Sequence, residues 1–468
     1  MPSMSSLTKQ KMFGGVLWSA AGKLLSMGSN IVVMLILARA IAPSAYGAYF
    51  VALTTTVILG SFGTLGMDQV VIRFVGPSAS QESRTGLRQT ISRCLIVVVV
   101  ATLLVCLAFW WIAPFFFGKL LEMPVLVAYA GVLAISLFFA TLQRQLAETF
   151  RGLNDIRMAT LFGGARTSGI VNSVLICLVS LVLWAAGWLT LFTALITVLG
   201  ASAVVVIAAA SVLWWRLRHG TRDDPSVPVQ GLSYGGAIHE GWPLWLAGII
   251  TVLNNMGSAW LASALDTASH VALFGVAQRF VLLLITPMVV INAILPPIIV
   301  QLHGADQLRR MERIIKLMGG MVLLPSLILL ALLVVAGRPL LHSLFGAYYE
   351  AAYPLMIILC AGQVINIATG AWQIVLPMTG NKRQILATSV IALVTQFAVG
   401  VSLGYRMGVV GVAIGFCVST IITNLAGMLL VRRKLGVWTY ASLNWQSVRD
   451  ASELILAPWL RRRSWQKP

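Results

Sequence analysis

Charge is what this sequence lacks most. Of its 468 residues only 10% are Asp, Glu, Lys or Arg, and acidic residues are the scarcer kind, 14 against 33 basic. A soluble protein of this length could not cover its surface with so little charge, so a water-soluble globular fold is excluded. Cysteine is nearly missing. The five present (Cys94, Cys106, Cys177, Cys360 and Cys417) lie in or beside apolar runs with no CxxC spacing. That pattern describes buried thiols and excludes a disulfide framework or a thiolate metal site. The five histidines (His219, His239, His270, His303 and His342) are scattered near the ends of apolar runs, and no His-rich or Asp-rich cluster offers a metal site. A phosphate-cradling loop is also missing. GVLWSAAGK at 15–23 has the wrong spacing for a P-loop, and GSFGTLG at 60–66 lies inside an apolar run. No cofactor is therefore expected. No long loop is available to carry a catalytic domain, so a transporter is expected and an enzyme is not.

Long apolar runs are what the chain has in abundance. It is 59% hydrophobic, with a mean hydropathy of +0.90. A spanning helix needs about 20 apolar residues, and about a dozen such runs are present. A membrane β-barrel would instead show short alternating segments. The expected fold class is an all-α polytopic membrane protein of about twelve transmembrane helices. The spans are placed at about 13–40, 47–72, 91–113, 123–146, 160–186, 188–215, 239–264, 269–300, 313–337, 351–377, 384–404 and 408–431. The first is too long for the apolar core of a cleavable signal peptide. The longest connection, 218–238, carries Arg222, Asp223, Asp224, Pro225 and Pro228. It separates an expected first lobe, 1–217, from a second, 239–435. The remainder, 436–468, holds Trp438, Trp445, Trp459 and Trp465 among polar residues and reads as an amphipathic tail at a membrane surface.

The net charge of +19 raises the question of nucleic acid. The basic residues are spread through alternate short loops, with no basic domain and no interleaved aromatics, so no nucleic-acid partner is expected. Roughly 27 of the 33 basic residues fall on one side if the N-terminus is inside. That places both termini in the cytoplasm and makes membrane lipids an expected partner.

Two cations break the apolar runs: Lys23 in the first span and Arg279 in the eighth. Arg39 and Arg73 close the first two spans. A charge at mid-bilayer costs at least about 2.5–3.5 kcal/mol on insertion scales, so such residues face protein or water. Few carboxylates are at hand to neutralise them: Asp68, Glu148, Glu240 and Asp266. Surplus positive charge suits an anionic substrate, and diphosphate is the obvious candidate. Each residue also has a plainer reading. Lys23 can snorkel, Arg279 can pair with a carbonyl or with Asp68, and Arg39 and Arg73 can anchor the interface. Asn254 and Asn255 in the seventh span, followed by Ser258, can bind sugar hydroxyls or bridge helices.

Four stretches together resemble a known family. LARAIAPSAYGAY (37–49), GTLGMDQVVIRFV (63–75), LFGVAQRFVLLLITPMVVINAILPPI (273–298), and LFGAYYEAAYPLMIILCAG (344–362) with TGNKR (379–383) occur in the order seen in the polysaccharide transporter family. That family lies within the multidrug/oligosaccharidyl-lipid/polysaccharide exporter superfamily. The resemblance covers the chain to about residue 435 and implies a MATE-like fold of two six-helix lobes around a central cavity. It implies an O-antigen or exopolysaccharide flippase that moves undecaprenyl-diphosphate-linked oligosaccharide across the bacterial inner membrane by alternating access. The lipid-linked oligosaccharide is then the partner, together with the polymerase and glycosyltransferases of the same pathway. Arg39, Arg73 and Arg279 fall on the family's motif arginines, whereas no fixed motif places Lys23. The two extra spans of lipid II flippases are not found. A small-molecule exporter of the same fold, or a non-transporting component of polysaccharide assembly, remains the alternative.

Overall fold

A spanning backbone in lipid must satisfy its own hydrogen bonds, and long apolar runs do so as helices. The computed structural model describes residues 6–78, 84–163, 169–219 and 232–442, and within them every regular element is helical. Fifteen α-helices follow one another: α1 (Ser6–Ala40), α2 (Pro43–Gly63), α3 (Met67–Ser78), α4 (Arg84–Phe115), α5 (Ala130–Gly152), α6 (Ile156–Phe162), α7 (Ile170–Ala185), α8 (Leu191–His219), α9 (Tyr234–Leu265), α10 (Ala268–Gly304), α11 (Leu308–Phe345), α12 (Tyr353–Ala368), α13 (Trp372–Met378), α14 (Lys382–Met407) and α15 (Val409–Leu435). Eleven stretches of the described residues are long and apolar enough to cross a membrane, and α7 is a shorter apolar helix of 16 residues. Large apolar side chains face outward, with Trp111 83% and Val335 84% exposed. Water would not tolerate this across so many helices, whereas lipid does.

The helices match the twelve expected runs, but three runs are broken. The second divides into α2 and α3 at Thr64–Leu65–Gly66. Leu65 and Gly66 there take positive φ values of 44° and 76°. A Cβ on Gly66 would stand 2.2 Å from the Gly241 carbonyl oxygen, so the turn needs glycine both for its φ and for the close approach of α9. The fifth run is interrupted between α6 and α7, where Gly163 and Gly169 leave helical geometry; residues 164–168 lie outside the described set. The tenth divides into α12 and α13 around Gly370.

By contacts the chain forms two compact units, Met1–Ala272 and Leu273–Pro468. In the first, α5 is the hub, packing on α2, α3, α4, α6 and α8, while α9 lies along α2 and α3. Indole N–H groups tie α9 down: Trp260 Nε1 donates to Thr55 Oγ1 at 2.9 Å and Trp245 Nε1 to the Phe62 carbonyl at 3.2 Å. In the second unit, α12 packs on α11 and α15, and α14 pairs with α15. A core of Leu295, Ile299, Met311, Ile315, Trp372, Val375 and Leu376 fills one end. Trp372 Nε1 donates to Asn424 Oδ1 at 2.7 Å, which satisfies a buried indole.

Of the expected amphipathic tail, only the start is described, and it is not helical. Residues 437–442 form no regular element, with Val437 and Thr439 buried. Ala441 N donates to the Ala368 carbonyl at 2.8 Å and Thr439 Oγ1 to the Thr369 carbonyl at 2.8 Å. Both carbonyls were left without helical partners by the break after α12. Ser442 N donates to the Lys316 carbonyl of α11 at 3.0 Å. Residues 443–468, with Trp445, Trp459 and Trp465, lie outside the described residues.

Candidate functional site: charges inside the helices

Positions 141, 144, 145, 148 and 151 share one face of a helix, since residues three and four apart stack along it. On α5 these are Thr141, Arg144, Gln145, Glu148 and Arg151. The stripe points into the first unit and not to its surface. Gln145, Glu148 and Thr141 are 0%, 5% and 2% exposed. Arg144 forms an ion pair with Asp68 in the first turn of α3, with side-chain exposures of 13% and 4%. Its other nitrogen reaches Ser61 Oγ at 3.5 Å. One turn on, Arg151 pairs with Glu148. Gln145 Nε2 donates to the Met67 carbonyl at 3.3 Å, at the turn that starts α3. The α2–α3 break is thus part of the site: it presents Asp68 and the Met67 carbonyl to α5.

Lys23 on α1 is half-buried and makes no ion pair or hydrogen bond with a described residue. The charge nearest to it in effect is another cation, Arg151. Three cations (Lys23, Arg144 and Arg151) stand against two carboxylates (Asp68 and Glu148), leaving one positive charge over.

The other candidate residues are placed apart from this cluster. Arg39 is exposed at the end of α1. Arg73 on α3 is exposed, lies 5.7 Å from the Phe74 ring centre, and pairs with Glu240 of α9 at 2.7 Å. Asn254 on α9 is half-buried. Asn255 is exposed, and its Nδ2 donates to the Thr251 carbonyl at 2.7 Å, within its own helix. In the second unit, Arg279 on α10 is half-buried among Val276, Ala277 and Phe280. Its Nε is buried without a hydrogen-bond partner, and no described carboxylate pairs with it. The alternative partner considered for it, Asp68, is held by Arg144. Among the described residues no group of three or more His, Cys, Asp or Glu is arranged to hold a metal.

Arg144 lies just inside the expected end of the fourth span at 146 and Arg151 beyond it, whereas α5 runs to Gly152 and carries both. The signal was available in the polar residues at i, i+3, i+4, i+7 and i+10 from Thr141, which mark a face that needs partners.

The sequence matches the family described as polysaccharide biosynthesis protein over residues 13–303, well over half of the chain. It belongs to that family. The MatE family also matches, over residues 243–402. Solved structures show the same fold for this polysaccharide-family member. An inward-facing multidrug resistance MATE family transporter of the MOP superfamily superposes with a TM-score of 0.70 at 15% identity, covering 90% of this chain and 98% of that one. The lipid II flippase MurJ in an inward closed conformation gives 0.67 at 12% identity, covering 97% and 94%. A MOP superfamily transporter from Pyrococcus furiosus gives 0.63 at 13%, covering 90% and 95%. No curated protein sequence matches significantly. The chain is therefore a multi-span membrane protein of the polysaccharide biosynthesis protein family with the MATE-like fold.

Proposed function

We propose that this protein is a flippase for undecaprenyl-diphosphate-linked oligosaccharide, an O-antigen or exopolysaccharide repeat unit, in the bacterial inner membrane, with both termini cytoplasmic. The observation that carries the reading is the pair of cations, Lys23 and Arg279, half-buried in membrane helices with no described counter-ion. An uncompensated cation in such a helix is costly, and an anionic substrate repays that cost. Guanidinium and ammonium groups both bind phosphate oxygens, the former in a planar fork. Membership of the polysaccharide family supports the glycan, and the surplus of positive charge favours an anion over the cations that a drug exporter of this fold would carry. Asn254 and Asn255 are proposed to meet sugar hydroxyls, and Arg39 and Arg73 to guide the head group at the helix ends. The polymerase and glycosyltransferases of the same pathway are the proposed protein partners.

Flipping of such a lipid in proteoliposomes tests this directly. Wild type transports. Lys23→Ala and Arg279→Ala each lose at least about tenfold, the factor set by about 1.4 kcal/mol of lost phosphate binding, while Arg279→Lys retains part of the activity. Full transport by folded Lys23→Ala and Arg279→Ala protein would remove the basis of the assignment.

A further inference from the structure

The first unit carries a second concentration of cations, away from Lys23 and its neighbours. The first turns of α4, the last turn of α8 and the first turn of α9 border an open cavity of about 490 Å³. Arg88, Arg93 and Arg218 line it with Gln89, Ser92 and Tyr234, and no described carboxylate lies among its walls. The cavity is a built feature. The chain entering α9 is fastened to α4 by Arg93 Nη1 donating to the Leu232 carbonyl at 2.8 Å and by Leu232 N donating to Thr90 Oγ1 at 3.2 Å. Arg93 also lies 5.6 Å from the Tyr234 ring centre. On α8 the neighbouring Arg216 is neutralised by Asp155, whereas Arg218 pairs with no described carboxylate and stacks 4.1 Å over Trp214. Trp214 belongs to an adjoining groove of about 780 Å³ that is mostly apolar, lined by Met158, Ala210, Val212 and Trp215 with Ser211 and the Asp155-paired Arg216. A basic hollow and an apolar groove therefore share a border at the Arg218–Trp214 pair, and exposed Trp214 and Trp215 mark the depth of a membrane interface.

We infer that this cavity binds the phosphate head group of an anionic bilayer phospholipid, whose acyl chains lie in the apolar groove along α8. Arg88 and Arg218 supply charge from two helices, the positive end of α4 adds to it, and Gln89 and Ser92 offer neutral hydrogen bonds. Basic pockets between membrane helices are suited to such head groups. A phosphate on a lipid could also come from the transported substrate. The bilayer phospholipid is favoured because the cavity sits at the ends of the helices and its apolar extension runs along the outside of the unit.

The test uses the purified full chain in detergent, exposed to equal amounts of phosphatidylglycerol and phosphatidylcholine, with retained lipid quantified after gel filtration. Wild type retains phosphatidylglycerol preferentially. Arg88→Gln/Arg218→Gln lowers that preference by about thirtyfold, the attraction of two arginines for an anionic lipid surface. Arg309→Gln/Arg310→Gln, two exposed cations of α11, leaves it unchanged. Arg88→Lys/Arg218→Lys keeps most of it and stands in for the glutamine variant should that fail to fold: loss of preference there, with protein intact, counts against the site. Equal preference in wild type and the glutamine variant overturns the inference, as does equal loss in the α11 control. Displacement of phosphatidylglycerol by equimolar undecaprenyl diphosphate, through the same two arginines, would assign the cavity to the substrate lipid. Displacement by millimolar inorganic phosphate would reduce it to a simple anion site. No transport is measured, so the result stands apart from the flippase assignment.

Discussion

Removing one partner of the Asp68–Arg144 pair should damage the first unit far more than removing both. The pair is nearly dry, with side-chain exposures of 4% and 13%. Arg144→Ala would leave the Asp68 carboxylate facing α5 without its counter-ion, and Ser61 Oγ without a donor. Breaking a buried pair in this way costs about 3–5 kcal/mol, because the stranded charge is no longer solvated by water or by a partner. Asp68→Asn/Arg144→Gln keeps the shapes and deletes both charges, and neutral replacements of buried pairs are often close to neutral in stability. The cycle of Asp68→Asn, Arg144→Gln and their double variant should therefore show a coupling of at least about 2 kcal/mol, with the double variant more stable than Arg144→Gln or Arg144→Ala. Apparent melting temperature at a fixed scan rate in detergent, followed by the monodisperse fraction on gel filtration, reads the order of the variants. A double variant as unstable as the sum of its singles would refute the idea that the two charges need only each other. An undamaged Arg144→Ala would show that water reaches Asp68, and the site would then be a wet one.

Two further outcomes follow from the broken helices. Gly66→Ala should sharply reduce the folded yield, since φ of 76° and a Cβ 2.2 Å from the Gly241 oxygen leave no room; Gly235→Ala, whose added Cβ meets nothing within 4 Å, should be tolerated, and gel filtration of fluorescent fusions separates the two. Thr439→Val keeps the buried shape but removes the donor to the Thr369 carbonyl, which should cost about 1–3 kcal/mol through an unsatisfied buried oxygen and lower the melting temperature.

The spanning helices were legible because apolar runs of twenty residues have few other fates. Their interruptions were not. Thr64 to Gly66 sits within a continuous apolar run, and only the approach of Gly241 shows why the helix must stop there. The same gap hid the buried pair. Asp68 and Arg144 each read as a polar residue near the end of its own span, until the break between α2 and α3 turns Asp68 toward α5. Lys23 and Arg279 were legible for the opposite reason. A cation inside an apolar run announces itself by what surrounds it in the chain, and no folding detail is needed to see it.

Burial and pairing sort the cations that the sequence presents alike. Arg73 is 64% exposed at its side chain and shares Glu240; an exposed pair of this kind contributes about 0–1 kcal/mol and holds nothing in place by itself. Arg144, nearly buried, and Arg151, 35% exposed at its side chain, are both matched by carboxylates, so their charge is spent inside the protein. Lys23 and Arg279 are half-buried and unmatched among the described residues. Only this last condition leaves free energy to be gained when an anion arrives. A diphosphate carried outward unaccompanied would gain about 2.3 kcal/mol per charge per 100 mV from an inside-negative potential. Cations fixed in the protein wall would stabilise it without travelling the full distance, so the phosphate binding proposed for Lys23 and for Arg279 need not cancel the electrical gain. Fixed, unmatched cations can therefore both attract an anionic head group and leave the potential to move it.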